Sequence, residues 1–503
     1  MARVLLVEDD ANQREIRQLV LEAAGHQVSA AASFEEALER SPGCELMVLD
    51  LIPNSIELLA AIGPEIRVVI LSGREIPIGA FRADAILQKP CTSRKLLAAI
   101  AQFCLFLYAF SASAESFKVV QPAEMVAELD LRAAGTDWGN PARPAVLATV
   151  LLDGKEQQNI MLYAGAERFT YRIFLGKLDP GQHNLKVEGD AVEMLAARFR
   201  EDQSDVLAHA PILFARPNTI GKFTDIPLIT YCERLQESGF QMLQYTVIYS
   251  NEDGGTSTRA LMARWGRTTD IEWVYKVFLN SDGSTHHAII QAAAHKDLEF
   301  QGKREGSHPL LLTATENNNV AFDRTSPVRY QIPPVLVDLS QHSREQVMDE
   351  RPFAYSIMSK ELAREEKLRP FGVEQDQNVS DPRNYLFFEA KVANHDSALG
   401  FLIRLQGDHR WYSGYVGRAD YAITRDGWVR GTVELPPGTT AEQIAEVGFQ
   451  CLVAEKKISG TCEVVTVSKT FFLDSGYKPG PAIWTLRDAQ RIPTGQTWTF
   501  SLK

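Results

Sequence analysis

The sequence predicts a multidomain chain: a doubly wound α/β unit at the N-terminus, followed by a mostly β body with sandwich-like domains. Three observations carry this. Over the first hundred residues, short apolar runs alternate with stretches of helical period, the pattern of parallel strands joined by helices. From about residue 118, apolar and polar residues alternate between Asp-Gly, Gly-Lys and Asp-Pro-Gly turns, as in small antiparallel sandwiches. The chain has 503 residues, too many for one core at roughly 100–200 residues per domain.

The first strand is "RVLLVEDD" (3–10), an apolar run ending in three acids. "ANQREIRQLVLEAAG" follows as a helix, with Ile16, Leu19, Val20 and Ala23 as its apolar stripe and Gly25 as its stop. "HQVSAAAS" reads as a strand and "FEEALERS" as a short helix. "CELMVLDL" (44–51) is a buried strand ending at Asp50, "IRVVILSG" (66–73) one ending at Ser72, and "AILQKP" (85–90) one ending in Lys89-Pro90.

The chemistry gathers at strand ends, which converge on one crevice in an open α/β sheet. Glu8, Asp9 and Asp50 would crowd like charges there, and an all-oxygen cluster suits Mg²⁺. Ser72 can hydrogen-bond a phosphoryl oxygen and Lys89 can pair with it as a point charge. Asp50 is then the candidate nucleophile for phosphoryl transfer.

"VLLVEDD", "LMVLD", "VVILSG" and "LQKP" together resemble the receiver domain of two-component response regulators, over about residues 1–103. The resemblance implies a flavodoxin-like fold, with Asp50 as phospho-acceptor, Asp9 as direct and Glu8 as water-bridged Mg²⁺ ligand, and Ser72 and Lys89 in the hydroxyl and lysine roles. Arg14 sets the register of the acidic triplet, which leaves Asp10 the less essential acid. A histidine kinase or phosphotransfer protein is the implied partner. Three features depart from the family: the loop "LIPNSIELL" places Pro53 one step early, "GREIPIGAFRAD" is short for the helix expected there, and Ile86 stands where the family has an aromatic switch.

Residues 94–116, "RKLLAAIAQFCLFLYAFSASAES", carry two readings. One is the receiver's last helix and its linker. The other is an anchor or export signal: Arg94-Lys95, an apolar run, then Ala112-Ser113-Ala114. In the second reading residues 96–114 associate with the membrane, the receiver is cytoplasmic, and everything after about 115 is extracytoplasmic.

Residues 118–200 are expected to form a β-sandwich, with "AVEMLAARFRED" as a closing helix and linker. Residues 207–375 form a β-rich central domain with a helical end, and 381–503 a second sandwich. On the strand "IEWVYKVFL", Asp270, Glu272 and Val274 share a face. With Arg267 and His308 they make a second candidate site, suited to a divalent metal or to acid–base work. Glu252-Asp253 and His295 lie near it in sequence, but no spacing there is diagnostic of a hydrolase. Trp411, Tyr412, Tyr415 and Trp428 suit either a stacking platform for a carbohydrate ligand or a sandwich core. Cys451 and Cys462 flank an expected hairpin and can pair there or stay reduced.

A formal net charge of −12 argues against a nucleic-acid binder. Six cysteines in so long a chain are no disulfide framework. Two functions stand at this level: phosphorelay signalling through Asp50, or an exported carbohydrate-binding or hydrolytic body joined to a degenerate receiver.

Overall fold

The computed structural model describes residues 3–502 apart from 52–54, 63–65, 74–82, 84, 90, 93–94, 98–99, 101–113, 218, 221, 253, 255, 374–376 and 454–459. The chain divides into two compact units, Met1–Ala112 and Ser113–Lys503. Most of the apolar segment 96–114, and the shortened stretch after Ser72, lie outside the described residues. Among the described residues no helix is long and apolar enough to cross a membrane.

The first unit runs β1 (Arg3–Val7), α1 (Ala11–Ala23), β2 (Gln27–Ala31), α2 (Phe34–Arg40), β3 (Leu46–Asp50), α3 (Ser55–Ala61), β4 (Arg67–Ser72) and β5 (Ala85–Gln88). The sheet order is β2-β1-β3-β4-β5 and every pairing is parallel. This is the flavodoxin-like winding. Val4–Val7 and Leu46–Leu49 have no exposed surface, because both faces of the sheet are covered. The helices are capped by side chains: Asp10 accepts from the Gln13 N–H, and Ser33 from that of Glu36.

Helix α1 is rotated from its expected stripe. Leu21 is buried and Arg14 and Arg17 are half-buried, whereas Ile16 is 55% and Leu19 60% exposed. The two arginines turn toward the acids at the strand ends.

The second unit is strand-rich. A three-stranded sheet (Phe169–Leu178, Ala123–Ala133, Val192–Glu201) faces a four-stranded one (Glu115–Val119, Gly181–Glu188, Leu147–Leu152, Lys155–Met161). Val192–Glu201 lies in the stretch expected to be helical. It pairs antiparallel with Ala123–Ala133 instead, and the ladder overrides the helix preference of Met, Leu, Ala and Arg. A six-stranded sheet follows, in the order Lys296–Glu299, Thr285–Ala292, Asp270–Leu279, Phe240–Tyr249, Pro227–Glu237, Val335–Val337. Helices Thr258–Trp265 and Phe353–Arg364 belong to this central part. Pro352 is the N-cap of the latter.

Two further four-stranded sheets close the chain as a sandwich, with Phe388 stacked on Phe401 at 4.4 Å in its core. Ile444–Val453 and Thr461–Phe471 stand in different sheets of that sandwich, so they form no hairpin. Cys451 and Cys462 are buried free thiols within its core.

A buried ionic network ties this sandwich to the central part. Arg430, fully buried, meets Glu389 (Nε–Oε2 2.7 Å) and Asp349 (Nη2–Oδ2 2.7 Å). Lys469 also reaches Asp349 at 2.6 Å.

Candidate functional site

The parallel sheet delivers the acids to one edge. β1 ends at Val7, so Glu8 and Asp9 follow at its carboxyl end; β3 ends at Asp50 beside it. Arg14 fastens the acidic turn by donating from Nη1 to the carbonyls of Glu8 (2.7 Å) and Asp9 (3.2 Å). Glu8 is buried and Asp9 exposed. Asp50 is only 7% exposed.

β4 and β5 bring the other partners. Asp50 pairs in register with Leu71, which places Ser72 one step beyond it. Ser72 is buried, and its carbonyl accepts the Lys89 N–H at 2.8 Å. The Lys89 ammonium reaches over β4 to hydrogen-bond Asp50 Oδ2. Glu8, Asp50, Ser72 and Lys89 thus stand at the strand ends as one group, with Asp9 at its solvent side.

One residue of the crevice was not among the sequence candidates. Arg17 Nη1 donates to Glu8 Oε2 and lies 3.0 Å from Asp50 Oδ2. Its side chain is 13% exposed. The available signal was the spacing of Arg14, Arg17 and Leu21 at i, i+3 and i+7, one face of a helix.

Oxygen donors of Glu8 and Asp50 have the right chemistry for Mg²⁺. Their arrangement does not fit it. The Arg17 guanidinium sits between the two carboxylates, and Asp9 Oδ1 accepts the Asp10 N–H at 3.1 Å. Among the described residues no three His, Cys, Asp or Glu side chains are grouped to hold a metal ion.

In the body, Asp270 and Glu272 lie on one face of Asp270–Leu279, and a bulge at Val274 ends that alternation. Asp270 Oδ2 accepts from Asn318 Nδ2 at 2.9 Å, while Asn318 Oδ1 and Gln291 Oε1 are buried without a hydrogen bond among the described residues. Burial, then the Asp270 charge, push Glu272 up to about 8 and Glu252 up to about 7. Burial also raises Asp270, against the opposing charge of Arg267. Arg267 is itself paired with Glu345 (Nε–Oε1 3.0 Å). His295 Nδ1 lies 3.7 Å from Glu272 Oε2.

His308 stands apart from these residues. It donates to the Ala210 carbonyl at 2.8 Å, faces Glu124 Oε2 at 3.3 Å and stacks on Phe174. The four aromatics make no shared platform. Tyr412 is buried in the sandwich core, Tyr415 bonds Gln450, Arg404 covers Trp411, and Trp428 tilts against His342.

No family model matches the chain, and no curated protein matches it. Solved receiver structures do. Chemotaxis protein CheY4 of Vibrio cholerae is 23% identical, over 20% of this chain and 98% of that chain, with a TM-score of 0.19. A response regulator receiver domain from Clostridium thermocellum is 26% identical over 20% of this chain and 93% of its own, TM-score 0.19. Response regulator TrrA of Thermotoga maritima, in complex with Mg(2+)-BeF, is 23% identical over 20% and 99%, TM-score 0.19. These likenesses cover a fifth of the chain and leave the rest unrecognised.

Proposed function

We propose that this chain is a two-component signalling protein in which Asp50 accepts a phosphoryl group from a phosphohistidine of a kinase or phosphotransfer protein. The observation that carries the reading is Asp50 itself: a buried carboxylate at the end of β3, bonded by the Lys89 ammonium. An Asp50 oxygen forms the new O–P bond as the P–N bond of the donor breaks, and that electron pair stays on the imidazole nitrogen. Lys89 then offsets the charge of a phosphoryl oxygen, and Ser72 donates its hydroxyl to another. The attached body is proposed to lie on the outer side of the membrane, with residues 96–114 as the anchor; the composition of that segment supports this.

The test is phosphoryl uptake. Full-length protein incubated with acetyl phosphate and Mg²⁺ should gain a hydroxylamine-labile acyl phosphate that Asp50→Asn lacks. Equal labelling of both proteins, or labelling of neither, sinks the reading.

A further inference from the structure

The two buried carboxylates of the crevice are matched by two cations of the chain before any ion enters it. Glu8 and Asp50 supply two negative charges. Arg17 and Lys89 supply two positive ones, each in direct contact with Asp50 Oδ2. Arg17 also contacts Glu8, so its guanidinium occupies the point where two carboxylates would share a cation. Like charges so close are tolerable only with a cation between them, and here that cation is part of the chain.

The helix is built to put it there. α1 turns Arg14 and Arg17 inward and leaves Ile16 55% and Leu19 60% exposed. Arg14 reaches the backbone carbonyls of the acidic turn; Arg17, one turn on, reaches the carboxylates. A guanidinium suits this place because it is always charged and presents several donors in a plane. A divalent ion would have to displace it or face it across a few ångströms.

We propose that Arg17 is a resident cation that occupies the divalent-metal position of the receiver and competes with metal for Glu8 and Asp50. This rests on the receiver reading of the same crevice and deepens it. Metal entry requires Arg17 to swing out, so occupancy of the site by metal and by Arg17 are alternatives. The free-ion level at which metal enters is then set by the arginine.

The experiment is Mn²⁺ binding to the full-length chain, read by electron paramagnetic resonance of free Mn²⁺. Proteins compared are wild type, Arg17→Leu, and Arg17→Leu combined with Asp50→Asn, which subtracts binding elsewhere. Removal of Arg17 should tighten Mn²⁺ binding at least tenfold, about 1.4 kcal/mol, and Asp50→Asn should abolish the gain. Wild-type affinity equal to or tighter than that of Arg17→Leu overturns the proposal, as does absence of Asp50-dependent binding in every protein. If Arg17→Leu does not fold, Arg17→Gln replaces it, keeping polar contact with Glu8 but no charge; the same gain is expected and its absence is equally decisive. Tight Mn²⁺ binding by the variant without Asp50-dependent phosphoryl uptake would uphold this proposal and sink the phosphorelay reading. Phosphoryl uptake with unchanged Mn²⁺ affinity would do the reverse.

Discussion

Replacing Glu272 by Gln should change how the stability of the body depends on pH. Glu272 is held at about 8 by burial and by the Asp270 charge. In an unfolded chain a glutamate titrates near ~4.3. Between these values the folded state keeps a proton that the unfolded chain has released, so stability falls as pH rises. One such group costs about 1.4 kcal/mol per pH unit. From pH 5.5 to 7.5 Glu272 alone should therefore remove roughly 2–3 kcal/mol. Glu252, up to about 7, acts in the same direction over the lower part of that window. Gln keeps the size and the neutral state, so Glu272→Gln should match wild type near pH 5.5 and exceed it at pH 7.5. Urea unfolding followed by tryptophan fluorescence isolates the effect, because all seven tryptophans lie beyond residue 113. Parallel stability–pH slopes for wild type and Glu272→Gln would refute the reasoning.

Two further outcomes are expected. Arg430→Met leaves Asp349 and Glu389 buried without the guanidinium between them; Lys469 and the Tyr355 hydroxyl stay on Asp349, and Ser343 stays on Glu389. The body should lose roughly 3–5 kcal/mol, measured by the same unfolding, and a loss under about 1 kcal/mol would mean that the network relaxes or takes up water. If residues 96–114 anchor the chain, protein recovered from its own cells should be full length and in the membrane fraction. A chain that begins near Glu115 would instead make the segment a cleaved signal and separate the receiver from the body.

The N-terminal α/β unit was legible because parallel strands announce themselves. Runs such as "RVLLV" and "LMVL" are apolar on both faces, and function falls at their carboxyl ends. Glu8, Asp50, Ser72 and Lys89 could therefore be named from sequence, and the sheet order brings them together. Arg17 could not be named that way, because the apolar residues of α1 point to a different stripe. The direction of a helix is settled by what faces it, and here Arg17 faces the two carboxylates at the strand ends while Ile16 and Leu19 stay exposed.

In the body the sequence determined strand character and little about partners. Alternation and turn residues mark strands, but pairing is a long-range decision. Val192–Glu201 is a strand because Ala123–Ala133 offers it a ladder. Cys451 and Cys462 flank a connection between sheets because their strands pair with others. Asp270 and Glu272 share a face by local geometry, and that much was readable. Their distance from His308, and an apolar cavity of about 240 Å³ lined by Tyr163, Phe169, Ile229 and Phe353, come from how the sheets pack. Periodicity records which face of an element is buried; only the packed chain decides what it is buried against.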